Sequence, residues 1–256
     1  MLKFSANLNF QFQEVPFLDR FQAAKDCGFQ GLEFIWAENY QPKDIAQQLD
    51  KTGLPMVQFT AFPGNFAEGR LGIAALPHRK EEFKETIDVA LSYARELHCK
   101  KIHVLSGIVP EEEQYSLYFD TCVENLRYAA TLFAQLGITL LVEPMNKRRA
   151  PGYMIEKIAQ AKNLIAAINK DNVALQFDFY HVQITEGDLT TRFLENLNLI
   201  KHIQIAGVPD RNEPNLGEIN YSYILDTIEK SGYSDWIGCE YTPKTTTKEG
   251  LGWLIK

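Results

Sequence analysis

The sequence predicts an α/β chain folded as a single (β/α)8 TIM barrel. Three observations carry that expectation. Eight short β-rich runs alternate with longer amphipathic segments. Most of the runs are nearly continuous apolar stretches, the pattern of parallel strands covered outside by helices. The length, 256 residues, is one at which an α/β barrel closes as one domain. The rival is an open doubly wound sheet. Against it, no GxGxxG follows the first run and no GxxxxGK[ST] occurs. No Pro/Gly/Ser-rich linker divides residues 1–256, so one domain is expected.

The elements follow in order. Leu2–Leu8 is the first strand. Phe17–Cys27 has apolar residues at helical spacing and stops at Gly28, a C-terminal cap. Gly31–Trp36 and Pro55–Thr60 are the second and third strands. The segment Ala61–Gly72 is a long loop. Glu81–Leu97 is a helix with Phe83, Ile87, Ala90, Leu91 and Ala94 on one stripe. Lys101–Ser106 is the fourth strand, and a helix over Cys122–Leu136 ends at Gly137. Ile138–Glu143 is the fifth strand, followed by a helix over Tyr153–Asn169. Val173–Asp178 is the sixth strand, and Asp188 caps a helix over Leu189–Leu199. Ile200–Ile205 is the seventh strand, with a second long loop over Ala206–Glu218. Tyr221–Lys230 is a helix ending near Gly232, and Trp236–Tyr241 is the eighth strand. Both long loops follow strands, so they belong on the C-terminal face, where barrel enzymes hold their chemistry.

Composition excludes several function classes. With 45% hydrophobic residues the chain can bury a core and is not disordered. Twenty-six Lys and Arg against 33 Asp and Glu give a formal charge of −7. Such a chain, without a basic block, is a poor partner for nucleic acid. No apolar run approaches the roughly 18 residues that cross a membrane. The start, Met1 to Phe10, lacks the charged and apolar regions of a signal peptide. Cys27, Cys99, Cys122 and Cys239 are scattered and form no CxxC pair, which fits reduced thiols in the cytoplasm. The exposed surface carries no signal separating a monomer from a homodimer.

The chemistry collects at strand ends. The fifth strand ends in Glu143, the sixth in Asp178, the seventh leads to Gln204 and the eighth to Glu240. Four adjacent strands thus present an oxygen-bearing side chain near one rim. Three carboxylates crowded there repel one another and resist desolvation unless a cation holds them. An all-oxygen set favours Mg²⁺ or Mn²⁺ over zinc. His181, three residues after Asp178, either orients a substrate or supports the metal ligands. Arg211, in the seventh loop, either clamps a substrate carboxylate or pairs with Glu213 or Asp210. His202 reads as a buried core histidine on the same strand face as Gln204. His78, His98 and His103 show no convergent partners. The basic triplet Lys147, Arg148 and Arg149 either aids an anionic substrate or forms a solvated loop, and the solvated loop is the reading taken. Cys239 points away from the barrel interior.

Several stretches together resemble the hydroxypyruvate isomerase family within the xylose-isomerase-like barrel superfamily. They include Cys27-Gly28-Phe29-Gln30-Gly31-Leu32-Glu33-Phe34, Val142-Glu143-Pro144-Met145-Asn146, Gln176-Phe177-Asp178-Phe179-Tyr180-His181 and His202-Ile203-Gln204-Ile205-Ala206. Gly217-Glu218-Ile219-Asn220-Tyr221 and Gly238-Cys239-Glu240-Tyr241 add to them. The resemblance implies a divalent metal held by Glu143, Asp178, Gln204 and Glu240. It implies that Glu143 and Glu240 donate and accept the proton, and that His181 and Arg211 touch a small hydroxy- or oxo-acid substrate. The implied reaction interconverts hydroxypyruvate and 2-hydroxy-3-oxopropanoate, with a 2-oxo-tetronate isomerase as the nearest alternative. The loops depart from the family pattern: Ala61-Phe62-Pro63-Gly64-Asn65 stands where Asn-Leu-Pro-Ala-Gly is usual, and the fifth loop is unusually basic.

Overall fold

The computed structural model describes residues 1–37, 39–62, 71–110 and 114–254. Eight parallel strands close into a barrel in sequence order. They are β1 (Lys3–Asn7), β2 (Gly31–Phe34), β3 (Met56–Thr60), β4 (Lys101–His103), β5 (Thr139–Val142), β6 (Val173–Asp178), β7 (Ile200–Ile205) and β8 (Trp236–Cys239). The sixth and seventh strands have the predicted bounds. The others are shorter, β4 most of all, because parallel pairing stops where the chain turns into the upper loops.

The helices cover the outside. They are α1 (Arg20–Asp26), α2 (Pro42–Thr52), α3 (Lys80–Glu96), α4 (Tyr115–Ala134), α5 (Ile158–Ile168), α6 (Phe179–Thr185), α7 (Leu189–Asn196), α8 (Tyr221–Lys230) and α9 (Thr247–Gly250). The five predicted stripe residues of α3 are all buried. Sequence reasoning missed α2, although Pro42 opens it and Gly53, at φ 68°, closes it. It also missed α6, whose first turn is capped by the carboxylate of Asp178. The fourth helix begins two turns before Cys122, and the fifth begins at Ile158 rather than Tyr153. Asp188 does precede α7, but its side chain makes no cap bond. Of the predicted loop 61–72, positions 63–70 lie outside the described residues.

Strand alternation divides the barrel into two environments. Outward residues are mostly apolar, and Phe177 of β6 packs edge-on against Phe179 and Phe193 of the helical layer. Inward residues near the top are polar. Ser5, Asn7, Glu33, Gln176, Asp178, His202 and Gln204 are all essentially inaccessible. Glu33 on β2 reaches across the interior to β7, where His202 Nε2 and Gln204 Nε2 each lie 2.9 Å from its carboxylate. Ser5 Oγ donates to it at 2.8 Å and Asn7 Nδ2 at 3.3 Å. Burial pushes the Glu33 carboxyl up, but the facing His202 and the bonds from His202, Gln204 and Ser5 outweigh it. The group stays below its ordinary range. Room for this carboxylate comes from Gly238 on β8, where any Cβ would strike the Glu33 oxygens.

Two substitutions test this buried centre. Gly238→Ala should lower stability by about 1–3 kcal/mol through overpacking against Glu33, measured by urea unfolding; an unchanged midpoint would refute the crowding. Because the Glu33 carboxyl is depressed in the folded state, its stabilisation is present above the ordinary value of 4.5 and is lost as pH falls through the lowered one. Melting temperature should therefore fall from pH 6 to pH 3 more steeply in the native protein than in Glu33→Gln, and parallel curves would count against it.

Candidate active site

A cavity of about 390 Å³ opens at the C-terminal end of the barrel. Glu143, which follows β5, and Glu240, which follows β8, line it together with His103, His181, Arg149 and Arg211. Asp178, the last residue of β6, sits beneath and is almost inaccessible. All six sequence-predicted site residues come together here. Arg211 Nη2 lies 2.5 Å from Glu240 Oε1 and 3.5 Å from Asp178 Oδ2. His181 Nε2 lies 3.6 Å from Asp178 Oδ2. Gln204 donates its side-chain amide to Glu240 as well as to Glu33, and its oxygen accepts from Gln176 Nε2 at 2.8 Å.

Arg211 is the structural hub. It pairs with Asp178 and Glu240 rather than with Glu213 or Asp210, the partners weighed from sequence. Glu213 instead accepts the backbone N–H of Lys244. The guanidinium lies over Phe10 at 4.8 Å and Tyr180 at 4.9 Å. Its backbone has φ 61°, uncommon for a residue with a side chain. The turn is held by the bond from Arg211 N to Gly207 O and by that from Gly207 N to Asn212 O. Such a conformation persists only where surrounding bonds over-determine it, and sites of function concentrate it.

Three carboxyl groups face one guanidinium, and the balance shows in their proton affinities. Burial, then the charges of Glu240 and Asp178, raise Glu143 well above the carboxylate range. Burial also raises Asp178, against the pull of Arg211. Burial pushes Glu240 up to about 7 despite Arg211. For Arg211 itself, burial disfavours the charge, but Glu240, Asp178 and Glu143 more than offset it. The imidazoles go the other way: burial lowers His103 to about 3, and burial with Arg211 and Arg149 nearby lowers His181 well below its usual value. Both are neutral at physiological pH.

The tautomer of His181 follows from its neighbours. The backbone N–H of Asn146 donates to His181 Nδ1 at 3.0 Å. Asn146 Oδ1 accepts from Arg149 N at 3.0 Å, so its amide nitrogen, 2.8 Å away, also faces Nδ1. The neutral ring therefore carries its proton on Nε2, toward Asp178. At 3.6 Å that N–H faces Asp178 without a hydrogen bond and offers no lone pair to a metal.

The donor set fits a divalent cation. Carboxylate oxygens of Glu143 and Asp178 lie within 4.8 Å of each other. Glu143 Oε1 is buried with no hydrogen-bond partner among the described residues. An orphaned carboxylate oxygen in an acid-rich pocket is a vacancy in bonding that hard cations satisfy. Gln204 presents nitrogen, not oxygen, to Glu240.

Two sequence readings need correction, and one residue was missed. His103 does have a convergent partner: its Nε2 is 3.6 Å from Glu143 Oε2, and Nδ1 is 3.4 Å from Thr60 Oγ1. The predicted fourth strand overran it, which hid that it ends β4 as Asp178 ends β6. The basic triplet is not uniformly a solvated loop, since Arg149 lines the cavity. Glu33 went unnoticed; its only signal was a lone carboxylate inside an apolar strand.

Comparisons with known proteins extend this picture. The sequence model of the xylose isomerase-like TIM barrel family matches residues 21–256. A 2-oxo-tetronate isomerase of Pectobacterium atrosepticum is 44% identical over 99% of this chain and 97% of its own. A hydroxypyruvate isomerase of Escherichia coli is 42% identical over 99% and 98%. A crystal structure described as an AP endonuclease, family 2, from Brucella melitensis superposes with a TM-score of 0.96 at 44% identity, covering 99% of this chain and 98% of that one. The chain belongs to the xylose isomerase-like TIM barrel family and, like the two named isomerases, is an isomerase.

Proposed function

We propose that the protein is a metal-assisted isomerase of a short sugar acid, interconverting hydroxypyruvate and 2-hydroxy-3-oxopropanoate. The observation that carries this reading is the pair of buried glutamates, Glu143 and Glu240, lining one cavity with both proton affinities raised. A carboxyl that titrates near neutrality serves as base in one direction and acid in the other. Glu240, held at about 7, takes the proton from the hydroxyl-bearing carbon. Glu143, whose proton affinity burial and the charges of Glu240 and Asp178 raise, returns a proton to the adjacent carbon. The hydroxyl proton passes to the former carbonyl oxygen, and return of a proton from Glu240 to Glu143 resets the pair, so no proton is gained or lost overall. The Nε2–H of His181 donates toward the oxygen on which charge develops. Arg211 holds Glu240 in place.

Glu143, Asp178, Gln204 and Glu240 would hold Mg²⁺ or Mn²⁺, which when bound polarises the substrate carbonyl and makes the neighbouring C–H more acidic. Gln204 would join that set through its side-chain oxygen. The formal charge of −7 and the acid-lined cavity favour a small substrate over the nucleic acid that the Brucella structure's description suggests.

A second reading, a 2-oxo-tetronate isomerase, is supported by the relative so named at 44% identity, and the cavity of about 390 Å³ has room for the one additional carbon. The deciding experiment strips metal, restores Mg²⁺ or Mn²⁺ separately, and compares kcat/KM for hydroxypyruvate and the four-carbon acid. Metal-dependent turnover of hydroxypyruvate supports the first reading; a large preference for the longer acid replaces it with the second.

Two outcomes follow. Glu240→Gln should cut kcat by about 10²–10⁴-fold while leaving the protein folded, and near-normal turnover would remove Glu240 from the chemistry. Mn²⁺ at one hundred times its Kd should stabilise the native protein by about 2.7 kcal/mol, a melting shift of roughly 5–10 °C for a chain of this size. Asp178→Asn should lose most of that shift; an equal shift in both proteins would place the cation elsewhere.

A further inference from the structure

The cavity has two cationic side chains among its described lining residues, Arg149 and Arg211. Arg211 is committed: its guanidinium is closed in by Glu240, Asp178, Phe10 and Tyr180. Arg149 is not. No hydrogen bond or ion pair engages its guanidinium among the described residues, and the side chain borders both the cavity and solvent. The rest of the triplet is turned away. Lys147 pairs with Glu156 at 3.3 Å, and neither it nor Arg148 lines the cavity.

The backbone that carries Arg149 is fixed. Asn146, inaccessible to solvent, accepts the N–H of Arg149 twice, through its backbone oxygen at 3.2 Å and Oδ1 at 3.0 Å. The same Asn146 holds His181 by its ring nitrogen. One buried asparagine thus sets the register between the imidazole N–H and the free guanidinium. The Arg149 charge is felt at the ring, where it helps to keep His181 neutral.

We propose that Arg149 is the specificity-determining residue of this site, binding the substrate's carboxylate and so selecting acids over neutral hydroxycarbonyl compounds. The proposal rests on the sugar-acid isomerase reading. The charge distribution sets the direction of binding. At the inner end Arg211 is taken up by Glu240 and Asp178, while the exposed Arg149 borders the cavity with its guanidinium open to a carboxylate. An acid substrate therefore enters with its hydroxycarbonyl end toward the inner end and its carboxylate toward the Arg149 guanidinium. A planar guanidinium matches a carboxylate with two parallel N–H bonds, which an ammonium does not.

The test compares the metal-loaded native protein with Arg149→Gln and Arg149→Lys. Two probes share one carbon skeleton: hydroxypyruvate, and dihydroxyacetone, in which a neutral CH₂OH replaces the carboxylate. KM for hydroxypyruvate should rise roughly tenfold or more in Arg149→Gln, with kcat changing less, and Arg149→Lys should fall between. Calorimetric Kd for hydroxypyruvate should move with KM, whereas affinity for dihydroxyacetone should not. Equal losses for both probes, or an unchanged KM and Kd for hydroxypyruvate, would overturn the proposal. If the native protein binds hydroxypyruvate without isomerising it, the reaction assignment fails and the Kd comparison still decides the role of Arg149. If it binds no hydroxypyruvate at all, both ideas fail together.

Discussion

The excess of buried negative charge at the top of the barrel governs the architecture of the site. Three carboxyl groups, Glu143, Asp178 and Glu240, share a single guanidinium. Each loses hydration on burial, and each is close enough to raise another's proton affinity. Arg211 compensates them from a strained position, at φ 61° and closed between two aromatic rings. Burial keeps the nearby imidazoles neutral, helped at His181 by the charges of Arg211 and Arg149.

Beneath this layer lies another buried glutamate with the opposite character. Glu33 is as inaccessible as Asp178, yet it stays below the ordinary carboxylate range because four side chains donate to or face it. Glu240 lies one layer higher and rises to about 7. The same residue type takes two proton affinities because its partners differ, not because its burial does. Gln204 links the layers, bonding to both carboxylates at once. Glu33 is thus a positioning group: it holds the amide that touches Glu240.

The turn after β5 joins chemistry to recognition. Asn146 fixes the His181 tautomer and anchors the backbone of Arg149. The imidazole of His181 and the backbone of Arg149 are therefore positioned by one buried residue. Loop residues on a rigid barrel can be placed this closely because the strand ends beneath them do not move independently.

Much of this was legible in the chain alone. Strand order, the outward apolar faces and the convergence of Glu143, Asp178, Gln204 and Glu240 all follow from period-two alternation and from where apolar runs stop. Those are local properties, and a parallel barrel aligns every strand end on one rim, so local position becomes spatial proximity. Other features were not local. Glu33 meets His202 across the barrel, 169 residues away in sequence, and nothing in either strand names its partner. His103 was concealed by a strand boundary, which depends on where pairing ends. Arg149 differs from Arg148 only in the direction a turn gives it. Arg211 had four carboxylates to choose from, two of them its sequence neighbours. The sequence determined which residue types reach the rim; closure of the barrel and the geometry of its loops decided which of them touch, because pairing partners and side-chain directions are set by contacts between segments distant along the chain.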